Sequence, residues 1–212
     1  MKETLTPREL SLERSRLTLI HERWGALIDS TLGGAIRESP LRPTILPEFL
    51  AALISLESGG NPAATRFEPR VHQHLLRVRG GDETHYGGLT RSRLSQFEDL
   101  QLIEFATSWG LTQIMGYHVI DEVNSTTPES PPHRGGEPKA GWCSVLIEPG
   151  FNLMKAARML AEFAEVVRAV REPPLQENDF AQLFRCWNTG KPNGETFDPR
   201  YEIGRASCRE RV

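Results

Sequence analysis

A carboxylate stands where an apolar helix should end. In Leu53-Ile54-Ser55-Leu56-Glu57-Ser58-Gly59-Gly60-Asn61-Pro62, Glu57 falls at helical spacing from Leu46, Leu50 and Leu53, on the stripe expected to face the core. A carboxyl group there is an accident of packing, a member of a buried salt bridge, or a general acid with a raised pKa. The last is the working expectation. Ser58, the next residue, can hydrogen-bond a substrate or satisfy the helix terminus. A second acid, Glu68, follows in Arg66-Phe67-Glu68. It can activate water as a base, or it can pair with Arg66 or Arg70 and stiffen a loop.

Further along, Gln113 is embedded in an apolar run, Leu111-Thr112-Gln113-Ile114-Met115. An unpaired buried amide costs about 1–3 kcal/mol, so Gln113 must bond either backbone or substrate. Asn188, at the expected end of a late helix, presents the same choice between a substrate contact and a plain cap. Trp187 and Tyr117 are amphipathic rings that can line a groove, and His118 and Trp109 are weaker candidates for the same role or for the core. His72 and His74 lie two apart and would face opposite sides of a helix, which argues against a shared metal. The glycine-rich pieces at 80–88 and 134–141 lack the Lys and Ser/Thr of a phosphate loop. No metal and no cofactor is expected.

The elements that must position these residues are mostly helices. Leu17, Leu19, Ile20, Trp24, Leu27 and Ile28 mark a helix within residues 1–40, which Gly33-Gly34 and Ser39-Pro40 weaken and end. This reads as a peripheral extension without chemistry of its own. A helix over about 47–58 follows, with Pro47 in its first turn and Gly59-Gly60 as its stop. A short helix is expected at 70–78, a loop at 80–88, and a helix at 91–106 carried by Leu94, Phe97, Leu100, Ile103 and Phe105. Residues 124–141 read as a loop. A helix at 151–170 has the stripe Leu153, Ala156, Leu160, Phe163, Val167 and Val170. Beyond Pro173-Pro174, Asn178 can cap a helix carrying Phe180, Leu183, Phe184 and Trp187. Strand signals are weak, and the class is mainly α.

At 212 residues the chain fits one domain with a helical appendage. A net charge of -3 leaves no electrostatic footprint for nucleic acid or a membrane surface, so a substrate would be held by hydrogen bonds and stacking. No apolar run is long enough to span a bilayer, and the charged N-terminus lacks the apolar stretch of a secretory signal. Neither nucleic acid nor membrane insertion is expected, and the chain is expected to be a monomer. Cys143, Cys186 and Cys208 lack metal-ligand spacing and are too few for a disulfide framework. The ending from Glu202 to Val212 looks foreign: it resembles the translation of a common sequencing adapter. The native frame is therefore expected to be cut near Tyr201, with residues 202–212 not native and no part of the fold.

Three motifs occur in order: Glu57-Ser58-Gly59, Gly110-Leu111-Thr112-Gln113-Ile114-Met115 and Trp187-Asn188-Thr189-Gly190. Together they resemble the lysozyme-like superfamily of lytic transglycosylases and N-acetylmuramidases, with a catalytic Glu in E-S-G, a G-L-M-Q-I/V-M motif and a late Y-N-x-G motif. Phe151-Asn152-Leu153 is similar to the family's N-L-x-x-A helix start, and the likeness covers about residues 46–200. The resemblance implies a lysozyme-like helical domain over 41–201, with a substrate groove, carrying the 1–40 extension. It implies cleavage of the β-1,4 bond between N-acetylmuramic acid and N-acetylglucosamine in peptidoglycan, with Glu57 as acid and then base. Ser58, Gln113, Tyr117, Trp187 and Asn188 become the substrate-binding candidates. In a lytic transglycosylase the muramic 6-hydroxyl replaces water and closes a 1,6-anhydro ring.

This chain departs from the pattern at two places. Thr112 replaces the usual Met, and Trp187 replaces a Tyr whose hydroxyl helps orient the acid; indole has no acceptor to take over that role. Arg66-Phe67-Glu68 also looks like the F-E element of a phage-type N-acetylmuramidase subgroup, such as an endolysin. An inverting hydrolase needs a second carboxylate about 6.5–9.5 Å from the first, and Glu68 is the candidate. The alternatives are thus hydrolysis by the same fold, or a catalytically silent module that binds glycan or partner proteins. With no signal sequence visible, the alternatives for reaching the cell wall are phage lysis, a secretion machine, or a start that is truncated or misassigned.

Overall fold

The computed structural model describes residues 6–35, 47–121, 141–168 and 177–195. Leu46, Ser39-Pro40, nearly all of the expected 124–141 loop, Val170, Pro173-Pro174 and the 202–212 tail with Cys208 lie outside the described residues. Along the chain come α1 (Pro7–Ala35), α2 (Pro47–Glu57), β1 (Thr65–Phe67), α3 (Pro69–Gly80), β2 (His85–Tyr86), β3 (Leu89–Thr90) and α4 (Arg91–Leu94). Then follow α5 (Asp99–Phe105), β4 (Thr107–Trp109), β5 (Ile114–Met115), 3₁₀ turns at Gly116–Val119 and Ser144–Ile147, α6 (Pro149–Arg168) and α7 (Glu177–Thr189). The class is mainly α. Among the described residues, no helix is long and apolar enough to cross a membrane.

The chain divides into two compact units, one of Met1–Asn61 with Gly150–Val212 and the other of Pro62–Pro149. The first unit is all helix among its described residues. α2 buries Phe49 to Ile54 without a break, the pattern of a helix enclosed on every side rather than one lying on a surface. Phe49 meets Phe184 of α7 at 4.3 Å and Phe180 at 5.9 Å between ring centroids. Leu153, Ala156, Leu160 and Val167 of α6 are buried as the stripe predicted, and Phe163 is half-buried. α7 starts at Glu177, so Asn178 lies inside the helix and not at its cap. Its buried face is Phe180, Leu183 and Phe184.

α1 runs through Gly33 and Gly34 and packs on α2. Ile20, Ile28 and Leu32 are buried. Leu19, expected on the apolar face, points to solvent: it lies 100° around the helix from Ile20, and it is Ile20, in phase with Trp24 and Ile28, that turns to the packed side.

The second unit holds what the sequence under-reported, two small sheets. β1 pairs antiparallel with β4, and β4 with β5; Arg66 lies opposite Ser108, and Ser108 opposite Met115. β2 and β3 form a hairpin across Gly87-Gly88, where a loop was expected. A glycine pair between Tyr86 and Leu89 is a two-residue hairpin signature, and both glycines take positive φ.

The expected 91–106 helix is two helices. Glu98 N–H donates to Gln101 Oε1 at 2.8 Å, which starts α5 afresh, and Arg79 donates to the Phe97 carbonyl at 3.0 Å. The restart shifts the helical phase. Leu102 and Phe105 are therefore buried, while Leu100 is 72% exposed and Ile103 38%.

Candidate active site

In the first unit, α2 ends on Glu57, and the carboxyl side chain is half-buried at the rim of a fully buried run. Leu50 and Leu53 are buried, as their helical spacing predicts, and at Glu57 the core opens. A carboxylate at that end meets the negative pole of the helix dipole.

The turn beyond it accounts for Ser58. Ser58 N–H donates to the Ile54 carbonyl at 3.1 Å, its Oγ donates to the same carbonyl at 3.3 Å, and Gly60 N–H donates to Ser58 Oγ at 3.2 Å. The hydroxyl satisfies the helix terminus, one of the two roles open to it. Gly59 and Gly60 take φ of +61° and +85°, which only glycine adopts without strain.

Trp187 and Asn188 belong to the same unit, on the last turn of α7. The α2 and α7 helices meet through Phe49, Phe180 and Phe184. Trp187 is half-buried and sets its ring edge-on to Phe163 at 6.5 Å. Asn188 is exposed. The helix end is closed by Thr189, whose Oγ1 donates to the Arg185 carbonyl at 2.8 Å, and by Gly190 N–H on the Cys186 carbonyl at 2.8 Å. The capping role thus falls to Thr189.

The second unit holds Glu68, Gln113 and Tyr117. Gln113 sits at φ 53°, the left-handed region, as the only non-glycine there among the described residues. Its side chain explains how that conformation is held. Nε2 donates to the carbonyls of Ala64 and Gly110, each at 3.0 Å, and Oε1 accepts from Ser108 Oγ at 2.9 Å. Ser108 Oγ also lies 3.2 Å from the Arg66 carbonyl. Both amide protons are spent on backbone, one of the two kinds of bond expected of Gln113. Gly110, at φ +77°, allows the turn, and its N–H donates to the Ala64 carbonyl at 2.8 Å. The Gly110–Gln113 turn is thereby bolted to the strand leading to Glu68.

Glu68 is half-buried and accepts from Arg66 Nε at 2.6 Å, with side chains 63% and 32% exposed for Arg66 and Glu68. The pairing with Arg66 is the loop-stiffening contact anticipated beside the base role. Glu68 N–H donates to the Ala106 carbonyl at 2.8 Å, which anchors the residue just before α3.

Near it lies a cluster that the sequence did not announce. Tyr86 stacks on His74 with centroids 4.7 Å apart and meets Tyr117 edge-on at 6.0 Å. His74 Nδ1 lies 2.9 Å from Glu83 Oε2, and Arg77 Nε lies 3.0 Å from Glu83 Oε1. Burial first, then the carboxylates of Glu68 and Glu83, hold the Tyr86 hydroxyl above its ordinary range. The spacing of His74 and Arg77, one helical turn apart, was the only available signal, and without a known position for Glu83 it had no partner.

Tyr117 lies half-buried beneath the hairpin turn, where a Cβ on Gly87 would come within 3.0 Å of its ring. Burial, then Tyr86, pushes its hydroxyl up to about 12. His118 tilts against it at 4.3 Å. Trp109 is half-buried, and its Nε1 donates to the Glu104 carbonyl at 3.1 Å. His72 packs edge-on to Phe67 at 5.6 Å, with a buried Nε2 that finds no hydrogen-bond partner among the described residues. Among those residues, no group of three or more His, Cys, Asp or Glu side chains gathers where a metal ion could be held. Comparison with family models, curated proteins and solved structures finds no match for this chain.

Proposed function

We propose that this protein cleaves the β-1,4 bond between N-acetylmuramic acid and N-acetylglucosamine in peptidoglycan, as a lytic transglycosylase of lysozyme-like type, with Glu57 as its single acid–base. The observation that carries the reading is Glu57 itself. It is a half-buried carboxyl on the last turn of a helix whose middle, Phe49 to Ile54, is buried, with a two-glycine turn just beyond Ser58, and it heads three motifs in the family's order. The Glu57 carboxylic acid gives its proton to the glycosidic oxygen as the bond to C1 breaks. The carboxylate then takes the proton of the muramic 6-hydroxyl as that oxygen bonds C1. The cycle consumes no water and returns the acid form. A general acid of this kind contributes about 10²–10⁴-fold.

One observation bears on the hydrolytic alternative. Glu68 would have to deliver a base, yet one of its oxygens is already engaged by the Arg66 guanidinium. Peptidoglycan strands are the proposed substrate, with exposed Asn188 and half-buried Trp187 as contacts in the Glu57 unit.

Two measurements test the reading. Mass spectrometry of digested peptidoglycan should show 1,6-anhydro ends; reducing ends instead would assign a muramidase. In a cell-wall zymogram, Glu57→Gln should lose clearing by about 10²-fold or more, the worth of a general acid. Equal clearing by both proteins, or by neither, ends the assignment, the latter leaving a silent glycan-binding module.

A further inference from the structure

We infer that α1 belongs to the catalytic apparatus: Trp24 is a positioning residue that grips the turn after Glu57 and thereby fixes that carboxyl. The inference rests on the role proposed above for Glu57. Trp24 is half-buried, and its Nε1–H donates to the Gly60 carbonyl at 3.3 Å across 36 residues of sequence. Indole is a donor only, so the bond has a single sense and a single partner type. One helical turn earlier, Ile20 fills the space beside the same residue, with Cδ1 2.6 Å from where a Gly60 Cβ would stand. Gly60 is therefore held twice, at its carbonyl and at its Cα, by side chains at positions i and i+4 of one helix. Arg23 covers the indole, its guanidinium carbon 4.9 Å from the ring centroid.

The grip matters because of what it holds. Gly59 and Gly60 both sit at positive φ, and a pair of glycines loses more conformational freedom on ordering than any other dipeptide. Gly59 is exposed, and nothing lies within 4 Å of a Cβ built on it, so no side chain packs over that face of the turn. The turn needs an anchor, and α1 supplies it at the next position. From Gly60 the order passes back through its N–H bond to Ser58 Oγ, and from Ser58 to Ile54. Glu57 lies inside that loop of bonds, at the end of α2. A displacement of about 1 Å at an acid can cost about 10²-fold in rate. Apolar packing alone would account for Ile20, but not for a directed N–H bond to the carbonyl of this particular turn.

The test combines amide hydrogen exchange with kinetics on peptidoglycan for Trp24→Phe, which keeps an aromatic ring and removes the donor. Leu19→Ser, on the exposed face of the same helix, is the control. Trp24→Phe should speed exchange of the Gly60 and Asn61 amides about tenfold and lower kcat about tenfold with KM little changed, the equivalent of one lost hydrogen bond. The control should change neither. Unaltered exchange at both amides in Trp24→Phe overturns the grip, whether or not the protein is active. Faster exchange with unaltered kcat in an active enzyme overturns the positioning role. A wild-type protein that leaves peptidoglycan uncut overturns the reading of Glu57 itself, and exchange then still decides whether Trp24 holds the turn.

Discussion

Gln113 shows how far a single residue can be read from its type. An amide in an apolar run had to be bonded, and it is, three times over, through Ala64, Gly110 and Ser108. Which partners it took depended on a left-handed backbone at position 113 that turns the side chain back onto its own loop. Gln113→Glu tests this at constant shape, because it replaces two donated protons with an oxygen facing two carbonyls. Thermal or denaturant unfolding should show a loss of about 2–3 kcal/mol at neutral pH, shrinking as acid protonates the new group. Unchanged stability would mean that the amide does not hold the turn. Ser58 and Asn188 teach the same lesson. The alternatives at each were legible, but it took the folded chain to show that Ser58 Oγ reaches the Ile54 carbonyl and that Thr189 closes the end of α7.

At the scale of elements, hydrophobic periodicity located α1, α2, α3, α6 and α7 close to where they are, because each buries a face against a large core. It failed between 91 and 106, where the apolar residues fit one continuous helix and the chain makes two. The reason is local. Gln101 caps backward onto Glu98, and Arg79 takes the Phe97 carbonyl, two polar bonds that no periodicity records. The new phase makes a sharp prediction. Leu102→Ala should cost about 2–4 kcal/mol in unfolding free energy, while Leu100→Ser should stay within about 0.5 kcal/mol. Comparable losses at the two positions would restore the single helix. The small strands escaped for a related reason: β4 and β5 have three and two residues, too few to display alternation.

For the whole molecule, the pattern of buried titratable groups sets its behaviour in alkali. Burial first, then Glu104, pushes the Cys143 thiol up to about 12 from an ordinary 9.0, and Tyr117 rises to about 12 from 10.0. Both shifts raise the folded-state pKa, so the folded chain holds these protons when the unfolded chain has released them. Stability is therefore complete below about pH 9 and falls as pH rises from there toward about 12. Denaturant unfolding at pH 8, 9.5 and 11 should show that decline, and Cys143→Ala should soften it. The same burial should leave Cys143 unreactive toward iodoacetamide at pH 8 in the native protein and reactive once unfolded. Labelling of the native thiol at the unfolded rate would contradict its burial.

Residue types, order and period by themselves determined that the chain is mainly α, where its long helices run, and that Glu57 ends one of them beside two glycines. Those properties are local, set by side chains within one or two turns of each other. Tertiary structure decided that Gln113 and Ser58 spend their polar groups on backbone, that Glu68 pairs with Arg66, and that Trp24 reaches Gly60. These bonds join residues whose separation is fixed by packing, and a bond of about 3 Å has no signature in a sequence until the chain has closed around it.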